Sequence, residues 1–366
     1  MIGKNRGIKW YVRFDDKLAQ FMHESDDHMS HNYGVEPAPY SVRATINPKV
    51  LVGIRDYLTA ASSEDLKRVE TQFNIEAGKI SPYLSMFKYY SMTRTDYCLN
   101  VDVDELNLGC SAKQLITLIR RGDIPNHFTE WAEYDEKTHR KETNKNAFYL
   151  QSKSLTINCY CKHAQLLVEF PECPDLENSR NLVRFEVQCK YPKVYSMAKN
   201  KRYDSDLYKS ITDEYFYGVV PHGLRITNPI DILLSDRIAD DIVRRYFNKI
   251  IREGDYLTLD CARWIIEKHN FRNDKKERLI WTLETINNHR GISKAKDRIS
   301  NIDLKDFKRS LSDLDDILVN PVTIPRNWGI EHIPNPLRAY ENAFEEWFIY
   351  SDEIQFNELL SEYLCS

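Results

Sequence analysis

The sequence predicts an α+β protein in which an antiparallel central sheet with flanking helices is followed by a mostly helical carboxy-terminal region. Two observations predict it. Three segments in the first 205 residues alternate apolar and polar positions with the period of a strand, and beyond about residue 205 the apolar positions recur every three to four residues. The expected division is therefore 1–205, an α+β domain, and 206–366, a helical region.

The three strand segments carry chemically usable groups on their polar faces. Thr93 to Asp102 puts Arg94, Asp96, Asn100 and Asp102 on one side. Leu155 to His163 puts Asn158, Tyr160 and Lys162 on one side and Ile157, Cys159 and Cys161 on the other. Leu182 to Cys189 presents Arg184, Glu186 and Gln188, backed by Val183, Phe185, Val187 and Cys189.

Between and around them, Tyr40–Ile46 alternates like a strand, and a helix starts at Ser63 with early acids. Ser111 to Arg121 has helical apolar spacing and stops at Gly122. Glu133 to Asn146 offers almost nothing to bury and reads as a loop or hairpin tip. A helix follows Pro192. In the second half, helices are expected over Ile230–Ile251, Leu257–His269 and Lys275–Asn288, with a turn at Gly291. A proline-rich strap over Pro321–Pro336 crosses the surface before a last helix from Pro336 to Ser361.

Hydrophobic residues at 42% and aromatics at 12% describe a well-packed chain, and no apolar run approaches the roughly 20 residues that span a bilayer. The amino terminus leads into no signal-like apolar core, so a cytoplasmic location with no membrane partner is expected. The eight cysteines lack zinc spacing and read as reduced thiols. A net charge of −4 excludes a global basic footprint, but Arg244–Ser310 holds 17 Lys and Arg against 10 Asp and Glu.

A single Arg-x-acid strand is most simply a salt-bridged surface pair. Two of them beside a third strand with a tyrosine on its polar face make a different case. Asp96 and Glu186 then offer hard carboxylate oxygens suited to Mg²⁺ or Mn²⁺. Tyr160 becomes a nucleophile, and Lys162, two residues on, supplies positive charge to a phenol whose ordinary pKa is about 10. His163 starts on the opposite face and suits a structural role. Asp102 and Asp104 sit at the strand end as solvated groups, and Tyr191 and Tyr195 are rival nucleophiles.

Arg94-Thr95-Asp96, Tyr160-Cys161-Lys162-His163 and Leu182-Val183-Arg184-Phe185-Glu186 resemble, in order and spacing, the three motifs of rolling-circle replication initiators of the filamentous-phage gene-two type. They are also similar to plasmid Rep_trans initiators and to relaxases of conjugative elements. The resemblance covers roughly residues 90–200. It implies an HUH-endonuclease-like fold and a site-specific, metal-dependent DNA nickase-ligase, with residues 1–205 as its catalytic domain. Tyr160 would form a 5′-phosphotyrosine and leave a free 3′-OH for replication; Asp96 and Glu186 would be the metal ligands.

The implied partners are origin DNA, double-stranded for recognition and single-stranded at the nick, together with host helicase and polymerase. The chain lacks the His-hydrophobe-His pair of the wider group. It has one tyrosine in the motif, so the closing cleavage would use a homodimer partner, another tyrosine or activated water. A conjugative relaxase has the same chemistry. A DNA-binding regulator without catalysis is the alternative from another class.

Overall fold

The computed structural model describes residues 3–5, 7–14, 40–54, 58–131, 133–135, 140–142, 144–198, 230–344 and 351–365. They form an α+β chain with a five-stranded antiparallel central sheet and a helical carboxy-terminal region. The chain divides into two compact units, residues 1–95 with 191–239 and residues 96–190 with 240–366. The polar strands thus belong with the helices after Asp240, whereas the sequence reading cuts the chain between 205 and 206. Long-range packing, which no local pattern encodes, sets these units.

In the first unit, strands β1 (Gly3–Asn5), β2 (Ile8–Phe14) and β3 (Tyr40–Ile46) form an antiparallel meander. Its apolar side and the helix Leu66–Ile80 share a core of Ile8, Trp10, Leu51, Val69, Phe73, Ala77, Phe87 and Ile230. Phe73 sits at its centre, 5.3 Å from the rings of Trp10, Phe87 and Tyr90. Helical structure starts at Ser63 as expected, with a 3-10 turn, Ser63–Asp65, that is capped by Ser62 and leads into this helix. Ser62 N–H donates to the Asp65 carboxyl at 3.2 Å, while Ser63 donates its N–H to Asp236 at 2.8 Å.

The second unit holds β4 (Thr95–Asp102), β5 (Thr129–Trp131), β6 (Glu133–Asp135), β7 (Arg140–Glu142), β8 (Ala147–Gln151), β9 (Leu155–Cys161) and β10 (Leu182–Cys189). The sheet order is β4-β10-β9-β8-β5, and β6 and β7 pair as a hairpin within the expected Glu133–Asn146 tip. One sheet face is continuous hydrocarbon: Phe148, Leu150, Ile157, Cys159, Val183, Phe185, Val187 and Cys189 are all buried. Helix Ala112–Arg120 contributes Leu115, Ile116, Leu118 and Ile119 to this core, and Phe247 of helix Asp236–Ile251 stacks on Phe185 at 4.6 Å. Ser111 and Gln114 close the first of these helices with a capping box. All eight cysteines are free thiols.

Two of the expected carboxy-terminal helices are present as Leu259–Lys268 and Asn273–His289, the expected Ile230–Ile251 helix is divided into Ile230–Leu233 and Asp236–Ile251, and a helix that was not expected covers Asp303–Asp315. The expected last helix is present as Pro336–Phe344 and Ser351–Cys365, with 345–350 outside the described residues; so are 199–229, where the helical region was expected to begin. The proline-rich strap differs from expectation in its first part, because residues 321–324 are buried, whereas Arg326, Asn327, Gly329 and Glu331 lie exposed as expected. Val319, Asn320, Val322, Thr323 and Ile324 are covered, and Asn320 Nδ2 satisfies the carbonyls of Ile251 at 2.7 Å and Gly254 at 3.1 Å. Beside it the buried Asp255 accepts from the Asn335 N–H at 2.8 Å, contacts His332 Nε2 at 2.8 Å and pairs with Arg338.

Gly122 ends its helix for a reason other than a left-handed cap, since its φ is not positive. The chain passes against the end of helix Asp236–Ile251, where Asp123 N–H donates to the Ile250 carbonyl at 3.1 Å, and a Cβ on Gly122 would overlap that carbonyl oxygen. Gly122→Ala is therefore expected to destabilise the protein by about 1–3 kcal/mol, the usual cost of forced overpacking. Urea unfolding of the variant, with an unchanged slope and a lowered midpoint, measures it.

Candidate active site on the polar face of the sheet

The pairing register sets the composition of the polar face. Between β10 and β9, Arg184 stands opposite Tyr160, Glu186 opposite Asn158 and Gln188 opposite Thr156. Across β9 and β8, Tyr160 faces Ala147 and Asn158 faces Tyr149, which in turn faces Trp131 on β5. Directly opposed residues in an antiparallel pair project to the same side. On β4, Asn100 Oδ1 accepts from Arg184 Nε at 2.7 Å, so Asp96, Cys98, Asn100 and Asp102 share this face as well. The three strands singled out by alternation are thus contiguous neighbours, and their polar groups lie on one surface.

Glu186 is the hub of that surface. Its Oε2 accepts the Tyr160 hydroxyl at 3.1 Å, and its Oε1 accepts Asn158 Nδ2 at 3.0 Å and Gln188 Nε2 at 2.8 Å. Tyr160 is only 8% exposed. Burial raises its pKa above the ordinary phenol value, the negative charge of Glu186 adds to the rise, and Arg184 opposes it. The resting tyrosine is therefore a protonated donor whose proton points at Glu186.

Lys162 is placed differently from the alternation argument. The strand ends at Cys161 and Lys162 begins the helix Lys162–Glu169, with its Nζ donating to Gln165 Oε1 at 2.8 Å. At 6% exposure it is nonetheless within the same field: burial lowers its pKa to about 8, and Arg184 pushes it further in that direction. His163, also on that helix, so that strand parity does not place it, lies against the Leu176 carbonyl at 2.9 Å and Ser179 Oγ at 3.2 Å through Nδ1, a local structural tie. Asp102 accepts the N–H groups of Asp104 and Glu105 at 3.0 and 3.2 Å and closes the turn after β4. Tyr191 and Tyr195 belong to the other compact unit, on helix Tyr191–Ala198, where their rings stack at 6.1 Å.

Arg184, Asn158, Gln188 and Asn100 acquire partners that the sequence reading did not assign. Their even-numbered register was visible; which atom meets which across strands was not.

The donor set can be weighed against Mg²⁺ or Mn²⁺. Among the described residues, no group of three or more His, Cys, Asp or Glu is gathered to hold a metal ion. The face does offer the carboxyls of Asp96, which is exposed, and Glu186, together with Asn158 Oδ1, a buried oxygen that has no hydrogen-bond partner. An orphaned buried acceptor costs about 1–3 kcal/mol unless something satisfies it. Mg²⁺ commonly uses one or two carboxylates and leaves its other positions to water and substrate phosphate. Hard oxygens of this number and kind fit such an ion.

The lowered Lys162 pKa has a consequence for stability. Between about pH 8 and the unfolded value of 10.5 the unfolded chain holds more protons at this residue than the folded chain, so stability rises with pH across that window. Lys162→Met is expected to flatten that rise in melting temperature; an identical pH profile in the two proteins would contradict the buried-amine assignment. Comparison with protein-family models, curated proteins and solved structures finds no match to this chain.

Proposed function

We propose that this protein is a replication initiator that nicks one strand at a double-stranded origin by tyrosine transesterification and later religates it. The observation that carries the reading is the contact of the Tyr160 hydroxyl with Glu186 at 3.1 Å, on a sheet face where Arg184 stands opposite the tyrosine. A tyrosine nucleophile needs an acceptor for its proton and positive charge near the attacked phosphate, and this constellation supplies both.

In the proposed reaction the Tyr160 oxygen attacks the scissile phosphorus while its proton passes to Glu186. A Tyr–O–P bond forms as the bond from phosphorus to the 3′ oxygen breaks, and the departing oxygen takes up a proton as a free 3′-OH. Arg184 and Lys162 offset the charge on the phosphoryl oxygens. Asp96 and Glu186 would hold Mg²⁺ or Mn²⁺, which would supply Lewis-acid polarisation of the phosphate. The phosphotyrosine conserves the energy of the broken bond, so attack by a 3′-OH restores the strand without ATP.

The partners of this reading are origin DNA, host helicase and polymerase, with a homodimer partner available for closing, and its setting is the cytoplasm. Many cations of the basic region are spent on ion pairs: Arg252 with Asp315, and Arg278 and Lys275 with Asp313. Arg290, Lys294, Arg298, Lys305, Lys308 and Arg309 remain exposed and suit duplex phosphates. A conjugative relaxase would use the same residues and differ in its cognate DNA. The slight exposure of Tyr160 favours a second reading, a regulator that binds DNA with this face as an uncatalytic hydrogen-bonded sheet.

The deciding measurement is nicking of supercoiled DNA from the source element with Mg²⁺ or Mn²⁺, with the covalent adduct resolved on a denaturing gel. Tyr160→Phe is expected to abolish the adduct and leave origin binding within about twofold of wild type. Glu186→Gln is expected to slow nicking by about 100-fold or more, the scale of a lost acid–base group. Adduct formation by Tyr160→Phe would exclude Tyr160 as nucleophile, and DNA binding without any metal-dependent nicking by the wild type would select the regulator.

A further inference from the structure

The row of residues through Glu186 continues beyond the reacting groups. Glu186 faces Asn158, Asn158 faces Tyr149, and Tyr149 faces Trp131 on the outermost strand β5. Three inter-strand steps place the tryptophan roughly 14 Å from Glu186 along the hydrogen-bonding direction. Trp131 is 53% exposed and stands edge-to-face against Tyr149, with ring centroids 6.0 Å apart and an interplanar angle of 82°. A large indole on an edge strand is costly as a solvated surface and invites association, which edge strands ordinarily suppress with charge.

A recess of about 610 Å³ opens at the same edge, lined by His127, Thr129, Trp131, Gln151 and Lys153. Its lining combines an aromatic ring, an amide, a hydroxyl and a lysine. Thr129 and Gln151 are cross-strand partners on the polar face, one row along from Trp131 and Tyr149. The acid in the recess, Glu130, lies 3.4 Å from Arg120, which offsets its charge. A pocket of this volume suits a nucleotide-sized group. An exposed ring with a cation nearby is also the usual platform for an unpaired base and its phosphate.

We propose that Trp131 is a base-stacking residue for single-stranded DNA, seating a nucleotide in the recess beside Gln151 and Lys153 a few nucleotides from the phosphate at Tyr160. The proposal rests on the nickase reading for the strand's path across the sheet, yet it concerns binding alone and is tested without cleavage. If the tryptophan served only as a cross-strand partner of Tyr149, its loss would lower stability slightly and leave DNA affinity alone.

The test uses the full chain in EDTA and an end-labelled oligothymidylate of about 12 nucleotides, read by fluorescence anisotropy beside a duplex of equal length. Trp131→Ala is expected to weaken oligothymidylate binding by roughly 5- to 150-fold, with duplex binding unchanged and only the slight loss of stability that the Tyr149 contact carries. Trp131→Phe is expected to keep affinity within a few-fold of wild type. Equal oligothymidylate affinity in Trp131→Ala and wild type, an equal loss for oligonucleotide and duplex, or no oligothymidylate binding by wild type each overturns the proposal. The two readings separate cleanly: Trp131-dependent binding without any adduct retains this site and removes the nickase, whereas adduct formation with Trp131-independent binding does the reverse.

Discussion

The β9–β10 register is the constraint on which the site depends. Because side chains alternate faces, a slip of β10 by one residue against β9 would carry Arg184 and Glu186 into the core, bring Phe185 and Val187 out to the polar surface, and leave Tyr160 without its partner. The buried face makes such a slip very costly, since Phe185, Val187, Cys159 and Ile157 are covered almost completely. Apolar packing on one side of the sheet therefore fixes the polar arrangement on the other to within a hydrogen-bond length.

That coupling explains why the carboxyl of Glu186 can collect three donors from three side chains on two strands. The sheet holds the two backbones that carry these donors in register with the carboxyl. The same burial that gives precision sets the electrostatics. Tyr160 is held as a neutral phenol, Lys162 is pushed toward its neutral form, and Arg184 acts on both, favouring the phenolate and disfavouring the ammonium. Groups whose pKa values burial drives apart, set within the field of one arginine, are the raw material of acid–base chemistry.

Much of the sheet was legible because period-two alternation is a strong local signal: all three polar segments are strands, and Asp96, Tyr160 and Glu186 lie on one face of one sheet. Local reasoning was less successful where a tertiary contact decides. Lys162 reads as a strand residue by parity, yet the strand yields to a helix one residue earlier. Gly122 reads as a helix stop, yet it is small because another helix passes it. The strap at Pro321–Pro336 reads as surface by composition, yet Asn320 supplies the hydrogen bonds that let backbone enter the core. Trp131 drew no attention as a three-residue edge strand too short to show a period.

By itself the sequence determined the α+β class, the strand parity, the helical second half and the even-numbered set of polar groups, because each follows from local periodicity and side-chain chemistry. Only the tertiary structure decided which strands adjoin, that the Tyr160 hydroxyl donates a hydrogen bond to Glu186, that Asn158 keeps a buried oxygen without a partner, and that the row through Glu186 ends at the sheet edge on Tyr149 and Trp131. Those depend on register and on burial between segments far apart in the chain. Energies of that kind arise from contacts that no short stretch of sequence contains.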